Sequence, residues 1–471
     1  MVNTSHKKYR NLSIDLLRGL AIVGMVLAAV IPWTAEFPGW MYHAQVGPPD
    51  FKFNPNRPGI TWVDLVFPFF LFSMGAAFPF ALKKSLEAGQ YASITKIVLR
   101  RGLLLLVFAI ALAYLTPDNL TGNSIVNYLS ALAAFAAFFL VFMRFEGTAV
   151  KKYGLQALGI IILVALTYYH SEILGNTFQK EKSNIIILVL ANMAVFGTLL
   201  WMLSANNIYL RIAILLCFMG VWFTKDIAGS WTSAIWNFHP KLHWFYNFAY
   251  LKYLCIVLPG SILGDLIWKN KAVFQTEFSA YERRSTFVLA ILAFLFVVFH
   301  VLCLYKRWIA LDLLGHLVFA VLFYLFLKDK KDEKIVFYKQ LVLCGFMFST
   351  VGLFFEPLDG GIKKDPSSFS YWFITSGLAF LFYLTCDYLV TFCKDNMLVN
   401  SLVRCGQNPM IAYSVSAFFI TPVLGLLHIL PWLDQLAGSS PYLGLIKTTV
   451  FITLMIAITA YCTKKLWFWR S

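Results

Sequence analysis

Apolar runs of about 17–25 residues recur along this chain from end to end, each long enough to cross ~30 Å of hydrocarbon. No other feature limits the fold as strongly. Lipid offers no water to an exposed N–H or C=O, so a spanning segment must satisfy its own backbone as a helix or pair it around a closed barrel. The runs lack the period-two alternation of a barrel strand. The expected fold is therefore all-α, a polytopic integral membrane helical bundle. Only 13% of residues are charged, against ~25% in ordinary soluble domains, and the mean hydropathy is +0.71. No separate soluble core is needed, and residues 1–471 read as a single transmembrane domain.

Candidate spans fall roughly at 14–35, 60–83, 96–115, 124–143, 153–170, 185–203, 208–224, 250–268, 286–305, 308–327, 335–355, 370–393, 408–429 and 443–464. Those at 153–170 and 208–224 are short, and 308–327 contains Asp312 and His316, so the count lies between eleven and fourteen. The first run continues as a full span without a small-residue cleavage pattern, which reads as a helix and not a removable leader.

The formal net charge of +16 does not call for nucleic acid. Positive charge collects in cytoplasmic loops of membrane proteins. With Lys7, Lys8 and Arg10 inside, alternation also puts Lys83/Lys84, Arg100/Arg101, Lys151/Lys152, Lys269/Lys271, Arg283/Arg284, Lys328/Lys330/Lys331 and Lys464/Lys465 inside. This favours an even number of spans with both termini cytoplasmic, although Lys180/Lys182, Lys306/Arg307 and Lys363/Lys364 then fall outside. The expected setting is a bacterial inner (plasma) membrane. Three long polar loops share the outer face: 36–59, 225–249 and 356–369. Loops of that length are commonly functional.

The ionisable residues that survive near or within the spans mark the chemistry, since each costs ~2.5–3.5 kcal/mol at a span centre even on the lenient insertion scale. His43 lies in the first outer loop, and Asp64 one turn into the second span. An imidazole exchanges protons near neutrality, and a carboxylate beside it can fix its tautomer. A solvated histidine and a helix-capping aspartate are the plain alternatives. Asp15 and Arg18 stand i, i+3 on the first span and suit a mutual ion pair. Arg18 together with Arg100 and Arg101 could instead form a cationic patch for the phosphates of a nucleotide-like donor. Lys363 or Lys364 could contact an anionic group, in a turn closed by Ser368 as helix cap. Asn408–Pro409 reads as a helix start, with Gln407 and Tyr413 as candidate lining of a polar tunnel. His239 and His243 lack a third ligand, so no metal is expected. The eight cysteines all lie in or at the ends of apolar runs, with no CxxC, and read as small buried hydrophobes.

Six segments in this order carry a resemblance: Asn11–Gly19 (NLSIDLLRG), His43 with Gly59–Gly75 (GITWVDLVFPFFLFSMG), Arg100–Arg101, Leu258–Leu266 (LPGSILGDL), Gly361–Tyr371 (GIKKDPSSFSY) and Gly406–Tyr413 (GQNPMIAY). The chain resembles the heparan-α-glucosaminide N-acetyltransferase family of transmembrane acyltransferases. The family-like core covers 11–145 and 250–464; residues 150–245 match poorly and are candidates for extra helices. The resemblance implies acetyl-CoA as co-substrate from the cytoplasm and acetylation of a sugar amine on the far side. Its active histidine corresponds to His43, acting either as general base or as an acetylated carrier.

The chain also departs from that pattern. Ala28–Ala29 stand where members often carry an asparagine, Asp50–Pro58 (DFKFNPNRP) are inserted, and Lys363 replaces an asparagine. An altered acceptor, or a degenerate member without activity, stays open.

The functional expectation is acetyl transfer from acetyl-CoA to an amine or hydroxyl of a sugar or glycan on the outer side. His43 and Asp64 are its catalytic candidates, Arg18, Arg100 and Arg101 would hold the donor, and Lys364 and Asn408 would meet the acceptor. The rival is a transporter of a sugar or sugar derivative that uses the same charges as a path. The bilayer is the certain partner, and a homodimer is compatible with the sequence although no feature calls for one.

Overall fold

A computed structural model of the protein describes residues 10–120, 123–143, 145, 148–175, 183–238, 246–273 and 277–470. Among them, 13 helices are long and apolar enough to cross a membrane. Numbered in chain order with one shorter helix, they are α1 (Leu12–Val30), α2 (Trp62–Glu87), α3 (Tyr91–Leu115), α4 (Ser124–Phe142), α5 (Val150–Ile173), α6 (Ile185–Ser204) and α7 (Ile208–Thr224). The second half comprises α8 (Phe248–Lys269), α9 (Ala280–Lys306), α10 (Ile309–Leu327), α11 (Glu333–Phe355), α12 (Phe369–Phe392), α13 (Pro409–Leu426) and α14 (Pro441–Lys464). The expected all-helical bundle is what folds. Among the described residues the only extended pairing is a single bridge between Met143 and Trp469.

The short helix α7 is a crossing all the same. On α6, Gly197 packs on Val257 and the Trp201 indole donates to Asp265 at 3.3 Å. Both contacts step forward along α8, so α6 and α8 run in the same direction and the chain must return between them. The ends of α7 agree. Arg211 pairs with Asp265 at 2.8 Å at one end of the bundle, while Trp222 meets Trp372 at 5.2 Å at the other. Among the described residues fourteen alternating helices result, and both described ends lie on one face. Residues 150–245 thus supply α5, α6 and α7. Of these, α5 is peripheral, with 11% of its apolar stretch buried, while α6 and α7 pack on α8.

The centre of the bundle is α2, α8 and α12, each with 72% of its apolar stretch inside the protein. Water cannot drive helix association inside lipid, so close backbone approach through small residues does much of that task. A Cβ added at Gly75 would stand 1.9 Å from the Val257 carbonyl oxygen, and one at Gly260 2.1 Å from that of Phe72. Gly75→Val is expected to force α2 and α8 apart at a cost of ~1–3 kcal/mol or more. A drop in thermal stability of the purified protein in detergent checks this, with Gly89→Ala as control. Gly89 has open space around its Cβ position but adopts φ +69, so the control is expected to show only mild backbone strain.

Candidate functional site

The site begins with a helix cap. Thr61 opens α2, and its hydroxyl accepts from Val63 N at 3.2 Å. Three residues on, Asp64 reaches back, and its Oδ2 accepts from Thr61 N at 2.9 Å, completing a capping box. The same oxygen accepts from Ala44 N at 3.2 Å, which ties the first loop to the helix. The other carboxylate oxygen, Oδ1, lies 2.7 Å from His43 Nδ1. Asp64 is 1% exposed, and several N–H donors around one carboxylate suit its anion. The two readings of Asp64 left open by the sequence therefore coincide: it caps its helix with one oxygen and holds His43 with the other. With Asp64 as acceptor, the satisfied tautomer carries its proton on Nδ1 and makes Nε2 the accepting nitrogen, which Lys364 Nζ also approaches, at 3.2 Å.

Lys364 completes the cluster from a distant part of the chain. Its Nζ lies 3.0 Å from His43 Nδ1, 3.2 Å from Nε2 and 3.8 Å from Asp64 Oδ1. Its loop is fixed at several points. Gln45, two residues past His43, grips the Asp365 backbone on both sides, donating to its carbonyl at 2.5 Å and accepting from its N–H at 2.8 Å. Gly59 N donates to the Ile362 carbonyl at 2.8 Å. Ser368 caps α12 as expected, accepting from Tyr371 N at 3.3 Å, and the Tyr371 hydroxyl donates to the Asp64 carbonyl at 2.7 Å. Sequence reasoning passed over Gln45 and Tyr371, because a lone amide or phenol beside an apolar run carries no local signal.

Burial lowers the Lys364 ammonium below the usual lysine pKa, while Asp64 and Asp365 pull it partly back. The sign of the pH effect follows. The folded protein releases this proton below 10.5, so the partly buried ammonium costs some stability at neutral pH. That cost is relieved as pH rises through the folded pKa toward the unfolded one. Thermal melting of the wild type, compared with Lys364→Met, is expected to gain over that alkaline window and nowhere below it.

A polar cavity of about 390 Å³ opens in the same loop, lined in part by Gln45, Asp50, Lys52, Asn54 and Arg57 but by none of His43, Asp64 and Lys364. Most of its wall is the segment Asp50–Pro58.

The arginines divide. Arg18 donates to Ser73 through Nε (to Oγ, 3.3 Å) and Nη2 (to the carbonyl, 3.0 Å), and through Nη1 to the Gly406 carbonyl at 3.3 Å. Its ion pair with Asp15 is present at 3.4 Å, but Arg10 holds Asp15 more closely, at 2.5 Å. Arg101 is near enough for its charge to act on Arg18, and its Nε is buried without a hydrogen-bond partner. Arg100 does not join them: one residue on turns it about 100° around α3, and its guanidinium is exposed, donating to Gln156 at 3.2 Å. Ser73 is nine residues past Asp64 on α2, so the Arg18 end lies about 14 Å along the helix from the His43 cluster.

Asn408 is also apart from His43. It stands before Pro409 at the start of α13 but makes no cap bond. Its fully buried amide donates to the Trp467 carbonyl at 2.7 Å and accepts from Trp469 N at 3.2 Å, which locks the C-terminal segment to the Arg18 end. Acceptor binding by Asn408 is therefore not what its surroundings serve. Tyr413 bonds to Asn184 at 3.3 Å. A carboxylate that sequence reasoning missed, Asp387, gathers Ser13 and Tyr338, each at 2.6 Å, and binds α12 to α1 and α11 near this end. His239 and His243 lie outside the described residues. Among the described residues, no group of three or more His, Cys, Asp or Glu is placed to hold a metal ion. None of the eight cysteines is paired.

Fold and site together define a polytopic helical membrane protein with a His–Asp–Lys cluster at one face and a buried arginine toward the other. The profile of a family described as a domain of unknown function (DUF5009) matches residues 10–267, more than half of the chain, and the chain belongs to that family. The matched part contains Arg18, His43, Asp64, Arg100 and Arg101, and ends before Lys364 and Asn408. No curated protein matches the sequence.

Proposed function

We propose that the protein is a membrane-embedded acyltransferase that moves an acetyl group from cytoplasmic acetyl-CoA to an amine or hydroxyl of a sugar on the outer face. The observation that carries this reading is the 2.7 Å contact between His43 and a buried Asp64 that also caps its own helix. An imidazole held this way is oriented before the acceptor arrives, as a general base requires. The resemblance in the segments around His43 supports the same chemistry. The charge asymmetry of the loops supports an outer position for His43 in a bacterial plasma membrane, and fourteen crossings agree with two cytoplasmic termini.

In this reading the acceptor binds at the outer face beside the partly exposed His43 ring. His43 Nε2 takes its proton as its nitrogen or oxygen attacks the thioester carbonyl. The C–S bond breaks, and the coenzyme thiolate leaves and is protonated. The Lys364 ammonium faces the developing negative charge on the carbonyl oxygen. Arg18, ~14 Å along the bundle, and Arg101, whose charge acts on it, would meet the phosphates of an extended donor.

Purified protein incubated with radiolabelled acetyl-CoA and a panel of hexosamines tests this. Label on the sugar is expected. Sugar flux into vesicles without any label transfer would favour transport instead. Calorimetric titration with acetyl-CoA separates both from a member that has lost donor binding.

A further inference from the structure

Away from His43, three titratable side chains form a continuous buried chain across α9, α10 and α11. His300 Nδ1 lies 2.7 Å from Asp312 Oδ1. His300 Nε2 lies 3.3 Å from His316 Nδ1, and His316 Nε2 lies 2.9 Å from the Thr350 hydroxyl. Exposure is 0% for Asp312, 1% for His300 and 7% for His316. His300 Nδ1 is within ion-pair distance of Asp312, yet neither carboxylate oxygen accepts a hydrogen bond from the described residues. Phe296 packs against both rings, at 4.1 and 5.7 Å, and Phe346 against His316 at 5.1 Å. Asp312 and His316 are i, i+4 on α10, yet the aspartate faces His300 on the neighbouring helix.

Ionisable side chains inside a membrane span are functional by default. With both rings neutral, an ionised Asp312 leaves one uncompensated negative charge in a pocket walled by phenylalanines, which is strongly disfavoured. One additional proton makes the set neutral. It also sets a charged ring at ion-pair distance from Asp312 and lets His300 donate from Nε2 to His316 Nδ1 and His316 from Nε2 to Thr350. A fixed ion pair would need only Asp312 and His300. The third ring and the hydroxyl extend the chain to its least buried members. Counted from the adjoining helix ends, the four residues lie about 5–11 Å deep, on the face that carries His43. At that face, Arg307 pairs with Glu356 across the turn above them. Buried Cys303 lies within electrostatic reach of Asp312. From α12, Thr385 and Tyr388 meet α9 only at its opposite end.

We infer that Asp312, His300 and His316 form a reversible intramembrane proton-binding site, loaded and emptied through His316 and Thr350. The proton moves by exchange of N–H and O–H bonds alone, so no co-reactant is needed. The site is independent of His43 and of the acetyl-transfer reading.

The test is NMR of ¹⁵N-histidine-labelled full-length protein in nanodiscs, titrated from acid to alkaline pH and assigned with His300→Gln and His316→Gln. The two rings are expected to titrate together, sharing one imidazolium that is lost on the alkaline side. Asp312→Asn is expected to move that loss to lower pH, and His43→Ala to leave it unchanged. Rings that keep one charge state across the range would overturn the proposal, as would a titration that Asp312→Asn does not move. Should Asp312→Asn fail to fold, the wild-type titration decides, together with Thr350→Val, which is expected to perturb the His316 Nε2 signal selectively. An unperturbed signal there would also count against the proposal.

Discussion

His43→Ala is expected to lower the acetyl-transfer rate by ~10²–10⁴-fold, the usual contribution of a positioned general base, without unfolding the bundle. The side chain is about one-third exposed, at 31%, and its removal leaves the Asp64 cap to Thr61 intact, so no helix loses its start. The measurement is kcat and KM for the purified variant. A fall in kcat with KM nearly unchanged would place the loss in the chemical step. Covalent labelling discriminates the two histidine mechanisms. Acetyl trapped on the wild type and absent from His43→Ala marks a carrier. No trapped acetyl, with the same rate loss, marks a base.

Asp64→Asn is expected to separate geometry from charge, with an activity loss of similar size, ~10²–10⁴-fold. The asparagine carbonyl can still accept from Thr61 N and Ala44 N, so the capping interaction and the fold survive. Its amide then points at His43 as a donor. His43 must answer with a bare Nδ1, which moves its proton to Nε2, the atom that has to receive one from the acceptor. The base is blocked while the structure is kept. Asp64→Ala differs: it also leaves buried N–H groups of Thr61 and Ala44 without their acceptor and is expected to destabilise by ~1–3 kcal/mol. Thermal melting and activity measured on both variants distinguish the two. Equal activity in wild type and Asp64→Asn would mean that Asp64 serves only the helix.

The bundle was legible because its cause is local. Each apolar run carries its own evidence for a helix, and alternating loop charge orders the runs. Even the short α7 was visible as a run, although its status as a crossing rests on tertiary facts, the parallel course of α6 and α8. His43 and Asp64 were legible as a pair because an isolated imidazole and a carboxylate flanked one span in a spacing that a single loop could close. Lys364 could be suspected but not joined to them: it stands 321 positions from His43 and 300 from Asp64, and the Gln45 clamp that delivers its loop is invisible in sequence. Arg100 and Arg101 were indistinguishable as letters, and only the helical turn decides which one faces Arg18. Asn408 misled because an Asn-Pro start predicts a side-chain cap, whereas the C-terminal segment competes for that amide and wins. Asp387 and the His300–Asp312 contact escaped for a common reason: each needs partners from separate helices, and helix pairing in lipid follows small-residue contacts that hydropathy does not display.

The direct test of acetyl transfer across the bundle uses sided proteoliposomes. Radiolabelled acetyl-CoA is supplied only to the face that carries Arg18 and the basic loops, and a hexosamine only to the face that carries His43. Labelled sugar should accumulate with the wild type and stay at background with His43→Ala. Labelled sugar formed equally well by His43→Ala, or formed only when both substrates share one face, would contradict transfer through the His43 site.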